Sequence, residues 1–455
     1  MIEFSKIRQK QGLIKLGMLF FMASTPIAWA DAVNPAEQLV LDNGLKIIAI
    51  EDSRLPVAEV QIWYRVGSAD EHGGQTGLSH FLEHLMFKGT PKAPGNTFMS
   101  FIDKIGGQVN AATSYDFTFY HQFLPVNQLK AVLDFEADRL ANLEFNQEKF
   151  QKELEVVKEE RRLRTDDLPE GRLVERFRNL ALSNSPYAAP VIGWMQDLNE
   201  MKMDYTKNWY QTWYAPNNAT VLIVGKINPK EALNLAKESF GGLVKKNLPP
   251  RKPMLQDFNF GARRLVVEDQ HPVPLMLWGF NLPHFSNSPA LKEAFALEVL
   301  GVVLAGKSSS RINKKLYHEE NKILDAQVQV GNLSRYPDLF TLKLQIHPEQ
   351  DLAGIEKAVW KEIEAIQKNG ISKEELDMAK LQALADRVFV QDDIMHRAIE
   401  YGYLETIGAG WQWVDRYVDA IDSLSKEDIQ SVAQKYLQID RSTIAVLQPK
   451  KSLGI

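Results

Sequence analysis

The sequence predicts an α+β protein built from two similar α/β sandwich domains, with mostly antiparallel sheets and helices packed on them. Three observations carry that reading. Hairpin chemistry, above all Asn43-Gly44 between two apolar runs, argues for antiparallel strands. Between such strands the apolar spacing changes from alternation to the period of amphipathic helices. A pattern also recurs: "YAPNNATVLIVGKINPKEA" from Tyr214 and "YLQIDRSTIAVLQPKKS" from Tyr436 each follow a helical segment and lead into a strand. A chain of 455 residues accommodates two such halves. Each would hold about 200 residues, an ordinary domain size.

Residues 1–30 stand apart. Lys6, Arg8, Lys10 and Lys15 precede an apolar run, Leu16 to Ile27, and then Ala28-Trp29-Ala30. This is the charged, apolar and A-x-A order of a secretory signal peptide. The run is short for a membrane span and Pro26 interrupts its end, so cleavage after Ala30 is expected. An uncleaved inner-membrane anchor is the alternative. The mature chain would be periplasmic or secreted.

The elements then follow in order. "QLVLDNGLKIIAIED" reads as two short strands and "VAEVQIWYRVGS" as a third. Leu78, Phe81, Leu82 and Leu85 have the spacing of a buried helical stripe. "GGQVNAATSYDFTFYHQFL" returns to a strand pattern, whereas "VNQLKAVLDFEADRLANLEF" and "NQEKFQKELEVVKEERRLRTDD" are helical. "LVKKNLPPRKPMLQDF", rich in Pro and Lys, is the expected linker over residues 243–258. It separates an N-terminal domain, 31–242, from a C-terminal domain, 259–455.

Composition excludes some classes. The net charge is −5 and no block of Lys or Arg forms a nucleic-acid footprint. There is no cysteine, so neither disulfides nor a lipid-modified cysteine can be present. A chain of this length buries a large core without disulfides. No stretch beyond the signal is long and apolar enough to span a bilayer, so no stable membrane insertion is expected after cleavage.

The chemistry concentrates in "TGLSHFLEHLMFKGT", Thr76 to Thr90. On a helix His80 and His84 lie one turn apart on one face and can aim both imidazoles at one point. Zinc accepts imidazole nitrogen, and a catalytic zinc usually keeps three protein ligands and a water. Glu83 neighbours both histidines and can reach that water without being a ligand, as a base that takes its proton. A pair of merely hydrogen-bonded histidines is the bland alternative, but it does not explain H-x-x-E-H in a helical setting.

A third ligand is needed, and two His with one Glu is a common set. In "KELEVVKEERRLR", Glu153, Val156, Val157 and Glu160 share one helical face that the valines mark as buried. Glu159 points about 100° away from Glu160 and is expected in solvent. Glu160 is therefore the expected ligand, and Glu153 a neighbouring carboxylate that orients a ligand or holds a proton.

These motifs resemble the pitrilysin or insulinase family of zinc metallopeptidases, the inverzincins, which includes mitochondrial processing peptidase. "HFLEHLMFKGT" with the distal "E-x-x-V-V-x-x-E" carries the resemblance. "GGQVNAATSYDFTFYH", "NSPYAAPVIGWMQDL" and "GKSSSRINKKL" extend it over almost the whole mature chain. It implies one zinc per chain on His80, His84 and Glu160, with Glu83 as base and Glu153 as accessory carboxylate. It also implies two α+β domains of like topology, the second of the inactive type. Relatives cleave extended peptides held as an added strand on a sheet edge. By resemblance that edge is at Asn110, Ala111 and Ala112.

One part of the family pattern is missing. The second half of the family's chamber usually supplies an Arg and a Tyr, seven residues apart, that stabilise the tetrahedral intermediate. In "SSSRINKKLYHEENKILDAQV" those positions hold Tyr317 and Leu324. Arg311 and Tyr317, six apart, fall on different faces of a helix and do not substitute. The closed chamber takes four domains and this chain has two. A zinc-less homologous subunit supplying the Arg/Tyr pair is therefore the expected partner. A homodimeric peptidase and a non-catalytic peptide-binding or assembly subunit are the other readings.

Overall fold

The computed structural model describes residues 36–252, 261–285 and 288–450. The expected signal segment, residues 1–30, and residues 253–258 of the expected linker lie outside them. Residues 243–252 form neither helix nor strand.

The first sheet contains β1 (Glu37–Val40), β2 (Lys46–Glu51), β3 (Val57–Tyr64), β4 (Gln108–Thr113), β5 (Thr118–Pro125) and β6 (Ala219–Gly225), in the order β1-β2-β6-β3-β5-β4. Its helices are α1 (Leu78–Leu85), α2 (Thr97–Lys104), α3 (Leu129–Asn142), α4 (Gln147–Arg161), α5 (Pro169–Ala181), α6 (Met195–Asn199), α7 (Met203–Trp213) and α8 (Pro229–Phe240). The second sheet contains β7 (Arg263–Asp269), β8 (Leu275–Leu282), β9 (Ile323–Val330), β10 (Asp338–Ile346) and β11 (Ser442–Pro449), in the order β7-β11-β8-β10-β9. With it come α9 (Ser288–Ala305), α10 (Leu352–Asn369), α11 (Lys373–Asp392), α12 (Ile394–Ile407), α13 (Trp413–Asp422) and α14 (Lys426–Tyr436).

The recurring sequence pattern reappears as topology. In each half the last strand inserts between two consecutive earlier strands, parallel to the earlier and antiparallel to the later: β6 lies between β2 and β3, β11 between β7 and β8. All other pairings are antiparallel. The Asn43-Gly44 turn joins β1 to β2 as expected, with Gly44 at φ +84°.

Each sheet buries both faces. One face of the first sheet packs on α1, α3, α4, α7 and α8 through residues such as Ile62, Phe81, Leu133 and Val157. Its other face, with Ile48, Ile50, Leu222 and Val224, is covered by α12 from the second half through Ala398, Tyr401, Leu404 and Ile407. Reciprocally, Leu173, Phe177 and Ala181 of α5 cover Leu275, Leu277, Ala445 and Leu447 of the second sheet. The two crossing helices approach so closely that glycine is required at each contact. A Cβ on Gly402 would lie 2.2 Å from the Trp63 indole, and one on Gly279 would lie 2.5 Å from the Phe177 ring. Burial of Leu404 and Ile407 alone stabilises this arrangement by about 3–6 kcal/mol.

A polar seam joins the halves where the two equivalent hairpins meet. Arg335, between β9 and β10, donates from Nε to Asp116 Oδ1 at 2.9 Å and from Nη2 to Asp70 Oδ2 at 2.9 Å. Arg251 also donates to Asp70 Oδ1, at 2.7 Å.

Candidate metal centre and active site

The helix that carries the histidines is fixed at its start. Its N-terminal flank Gly77 has φ +87°, and Gly193 lies against it, where a Cβ would come within 2.5 Å of Thr76 O. Glu71 accepts from Gly77 N and Ser79 N, both at 2.7 Å, filling two of the free N–H groups of the first turn. Burial pushes the Glu71 carboxyl up to about 8 although both bonds favour its charged form. Thr76 is tied to Asp197 and to Trp194 N. The "PVIGWMQDL" segment thus serves as the platform on which α1 starts.

The fourth helix is capped by Asn146, which accepts from Glu148 N and Lys149 N. It lies beside α1 and brings Glu153 and Glu160, two turns apart, against the histidines. Glu160 Oε2 is 3.4 Å from His84 Nε2 and 3.7 Å from His80 Nε2. The three ligand atoms lie within 4.8 Å of one another, and no other such group of three occurs among the described residues. A tetrahedral zinc with ligands at 2.0–2.1 Å holds them about 3.3 Å apart. The donor set and its spacing therefore fit zinc.

Glu159 is exposed and paired with Arg162, whereas Glu160 faces inward. Val157 is fully buried. Val156, expected on the same buried face, is 51 % exposed. At 3.6 residues per turn it sits about 60° to one side of the Glu153–Val157–Glu160 line.

The surrounding charges are ordered. Glu153 Oε1 meets His84 Nδ1 at 2.9 Å, and its other oxygen meets Lys88 Nζ at 2.5 Å. Arg164, on a wide π-helical turn that ends α4, pairs with Glu160 Oε1 at 2.8 Å. The bond from His84, with help from His80 and Arg164, holds Glu160 down at about 2. Burial lowers His80 to about 3. For His84 burial is outweighed by the carboxylates of Glu153 and Glu160, which lift it to about 9. Burial raises Glu83 to about 7, against a hydrogen bond from Thr113 Oγ1 to its Oε2 at 2.5 Å.

Asn110, Ala111 and Ala112 lie on β4, which among the described residues pairs only with β5 and so has no strand on its other edge there. Asn110 is exposed, and its side chain accepts from Ala111 N at 2.9 Å. In the second half, Tyr317 lies on a π-helical stretch, Asn313–Glu319, and Leu324 on the adjacent edge strand β9; both are partly exposed. Arg311 is held by Glu375 through two bonds, at 2.6 and 2.8 Å, and is engaged away from the metal cluster.

Sequence reasoning did not find Glu71, Lys88, Thr113 or Arg164. Lys88 and Arg164 stand four residues after His84 and Glu160, so helical spacing could have suggested them. Thr113 comes to Glu83 only through the pairing of β4, which no local period encodes.

Comparison with known proteins identifies the family and the fold. The family described as insulinase (peptidase family M16) matches residues 46–193, and the peptidase M16 inactive domain matches residues 202–383. The zinc protease PqqE of Helicobacter pylori is 30% identical over 425 residues, which covers 91% of this chain and 93% of the relative. An uncharacterized zinc protease of Mycobacterium leprae is 27% identical over 425 residues, covering 90% of this chain and 91% of the relative. The crystal structure of a protease from Helicobacter pylori superposes with a TM-score of 0.85 at 28% identity, over 91% of this chain and all of the other. The first half of the periplasmic protease PqqL from Escherichia coli shares the fold, with a TM-score of 0.78 at 21% identity over 91% of this chain and 92% of that one. With its two mixed-sheet domains and these matches over nearly its whole described length, the chain belongs to the insulinase family of metallopeptidases, peptidase family M16.

Proposed function

We propose that this chain is the catalytic subunit of an exported zinc endopeptidase, with His80, His84 and Glu160 as zinc ligands and Glu83 as the base. The observation that carries the reading is the inward-facing His80–His84–Glu160 cluster with the Glu83 carboxylate beside it. Zinc bound there supplies a Lewis acid that polarises the scissile carbonyl and makes water a better nucleophile. Glu83 takes a proton from the attacking water and returns it to the leaving amine. Glu153 holds His84 by Nδ1, which would leave Nε2 to hold the metal, and Lys88 holds Glu153. The open edge of β4 at Asn110–Ala112 takes the substrate as an added strand, so backbone bonds hold an extended peptide with little regard to sequence.

The donors for the oxyanion come from a second, zinc-less subunit of the same fold. Leu324 can donate nothing, and Arg311 is already committed to Glu375. Export rests on the charged, apolar and A-x-A order of residues 1–30, with Asp31 as mature N-terminus; the structural likeness to a periplasmic protease supports it. The test is turnover of labelled casein by the chain alone and with the partner, beside Glu83→Gln. Glu83→Gln should keep zinc and lose cleavage. The chain alone should bind zinc and cleave poorly. A partner carrying the Arg/Tyr pair should restore about 10²–10³ in rate. Full activity of the chain alone would remove the heterodimer, and wild-type turnover by Glu83→Gln would remove the base.

A further inference from the structure

We propose that Thr113 is the positioning residue of the reaction, fixing the Glu83 carboxylate from the end of the strand that takes the substrate. The inference rests on the peptidase reading above. Thr113 Oγ1 lies 2.5 Å from Glu83 Oε2 and 3.5 Å from Thr118 Oγ1. Thr118 is fully buried and donates its own proton to Val66 O at 3.1 Å. A hydroxyl has one proton. The Thr118 proton is committed, so the Thr113 proton goes to the nearer partner, Glu83. Thr113 is itself buried, 9% exposed, and Thr118 faces it across the β4–β5 hairpin. Its hydroxyl is therefore held on a two-stranded frame rather than on a free rotor. One Glu83 oxygen is pinned by this bond and the other is left for the water.

The position matters because Thr113 directly follows Asn110–Ala112, the proposed docking edge. The strand that sets the height of the scissile bond also sets the base. Without the hydroxyl, Glu83 is free to swing toward His84 and the metal ligands. A displacement of about 1 Å in a reacting group can reduce turnover about a hundredfold.

The experiment compares Thr113→Val, which keeps the β-branched shape and deletes the donor, with Thr113→Ser, which keeps the donor. Labelled casein is the probe, used in whichever assembly gives the highest zinc-dependent wild-type turnover. Thr113→Val should lower kcat about tenfold to a hundredfold. Its KM and zinc content should stay at wild-type values, and Thr113→Ser should restore kcat. A raised KM with unchanged kcat would mean that Thr113 serves only the docking strand, and would overturn the inference. A second measurement needs no turnover. In the zinc-free chain, Thr113→Val should lower the Tm when residue 83 is Glu, and lower it less in a Glu83→Leu background. Equal losses in both backgrounds would show that the bond to Glu83 contributes nothing, and would overturn the inference independently. A wild-type chain with no zinc-dependent cleavage in any assembly would instead remove the peptidase reading, while the Tm comparison still reports the bond.

Discussion

Replacing Glu153 by Gln tests whether the carboxylate behind His84 tunes metal binding. The side chain keeps its size, and its Oε1 can still accept from His84 Nδ1. Two things are lost. The 2.9 Å bond to His84 ceases to be charge-assisted. Such bonds are about twice as strong as neutral ones, so roughly 1 kcal/mol goes. The contact with Lys88 Nζ also ceases to be an ion pair. Lys88 is about a third exposed, so after screening by solvent that term is about 0.5–1 kcal/mol. The sum, about 1.5–2 kcal/mol, is roughly ten- to thirtyfold in zinc affinity, within the range for residues that orient metal ligands. Competition for zinc with a fluorescent chelator at neutral pH measures it directly. Lys88→Met should show only the smaller share, about threefold. If Glu153→Gln binds zinc within about twofold of wild type, Glu153 does not orient His84 and the second-layer account is wrong.

Three other expectations can be checked on the same protein. Glu160→Gln should strip or markedly weaken zinc, because a neutral amide replaces the proposed carboxylate ligand, while Glu159→Gln should leave metal content unchanged. Metal analysis showing the reverse would refute the helical register. Asp70→Asn should destabilise the chain by about 3 kcal/mol near neutral pH, because buried Arg335 loses one of its two carboxylates. Burial opposes ionisation of Asp70, but Arg335 and Arg251 outweigh it and hold the carboxyl below its usual range. That increment is present above the ordinary carboxylate value and is lost as pH falls through the lower folded one. The Tm gap between wild type and Asp70→Asn should therefore close on acidification; a gap constant down to pH of about 2 would exclude this linkage. Edman sequencing of the exported protein should begin at Asp31, and an intact Met1 in a membrane fraction would favour the anchor.

Much of this arrangement is written locally. The β1–β2 hairpin follows from Asn43-Gly44, and α1 and α4 from apolar spacing. The inward register of Glu160 follows from its seven-residue distance to Glu153, with Val157 between them. Such features depend on neighbours a few residues away, where period and turn chemistry act. What escaped is non-local. The seat of Thr113 beside Glu83 depends on the β4 pairing, and the meeting of Arg335 with Asp70 and Asp116 joins segments about 220–265 residues apart in sequence. The exposure of Val156 escaped for another reason. Two adjacent apolar residues cannot both lie on a narrow buried line, and the sequence does not say which one does.

The crossing of α5 and α12 bears on how the chain reaches its native state as it is synthesised. Residues 36–225 contain every strand of the first sheet, yet Ile48, Ile50, Leu222 and Val224 lack their main cover until Ala398 to Ile407 arrive. As the chain emerges N-terminus first, that apolar surface lacks most of its cover while the next roughly 170 residues are delivered, and incompletely covered sheet faces of this kind aggregate. The first half is therefore not an early, finished folding unit. A chaperone that shields one face of a nearly complete sheet would act in that interval, and a chain truncated after β6 would depend on it permanently.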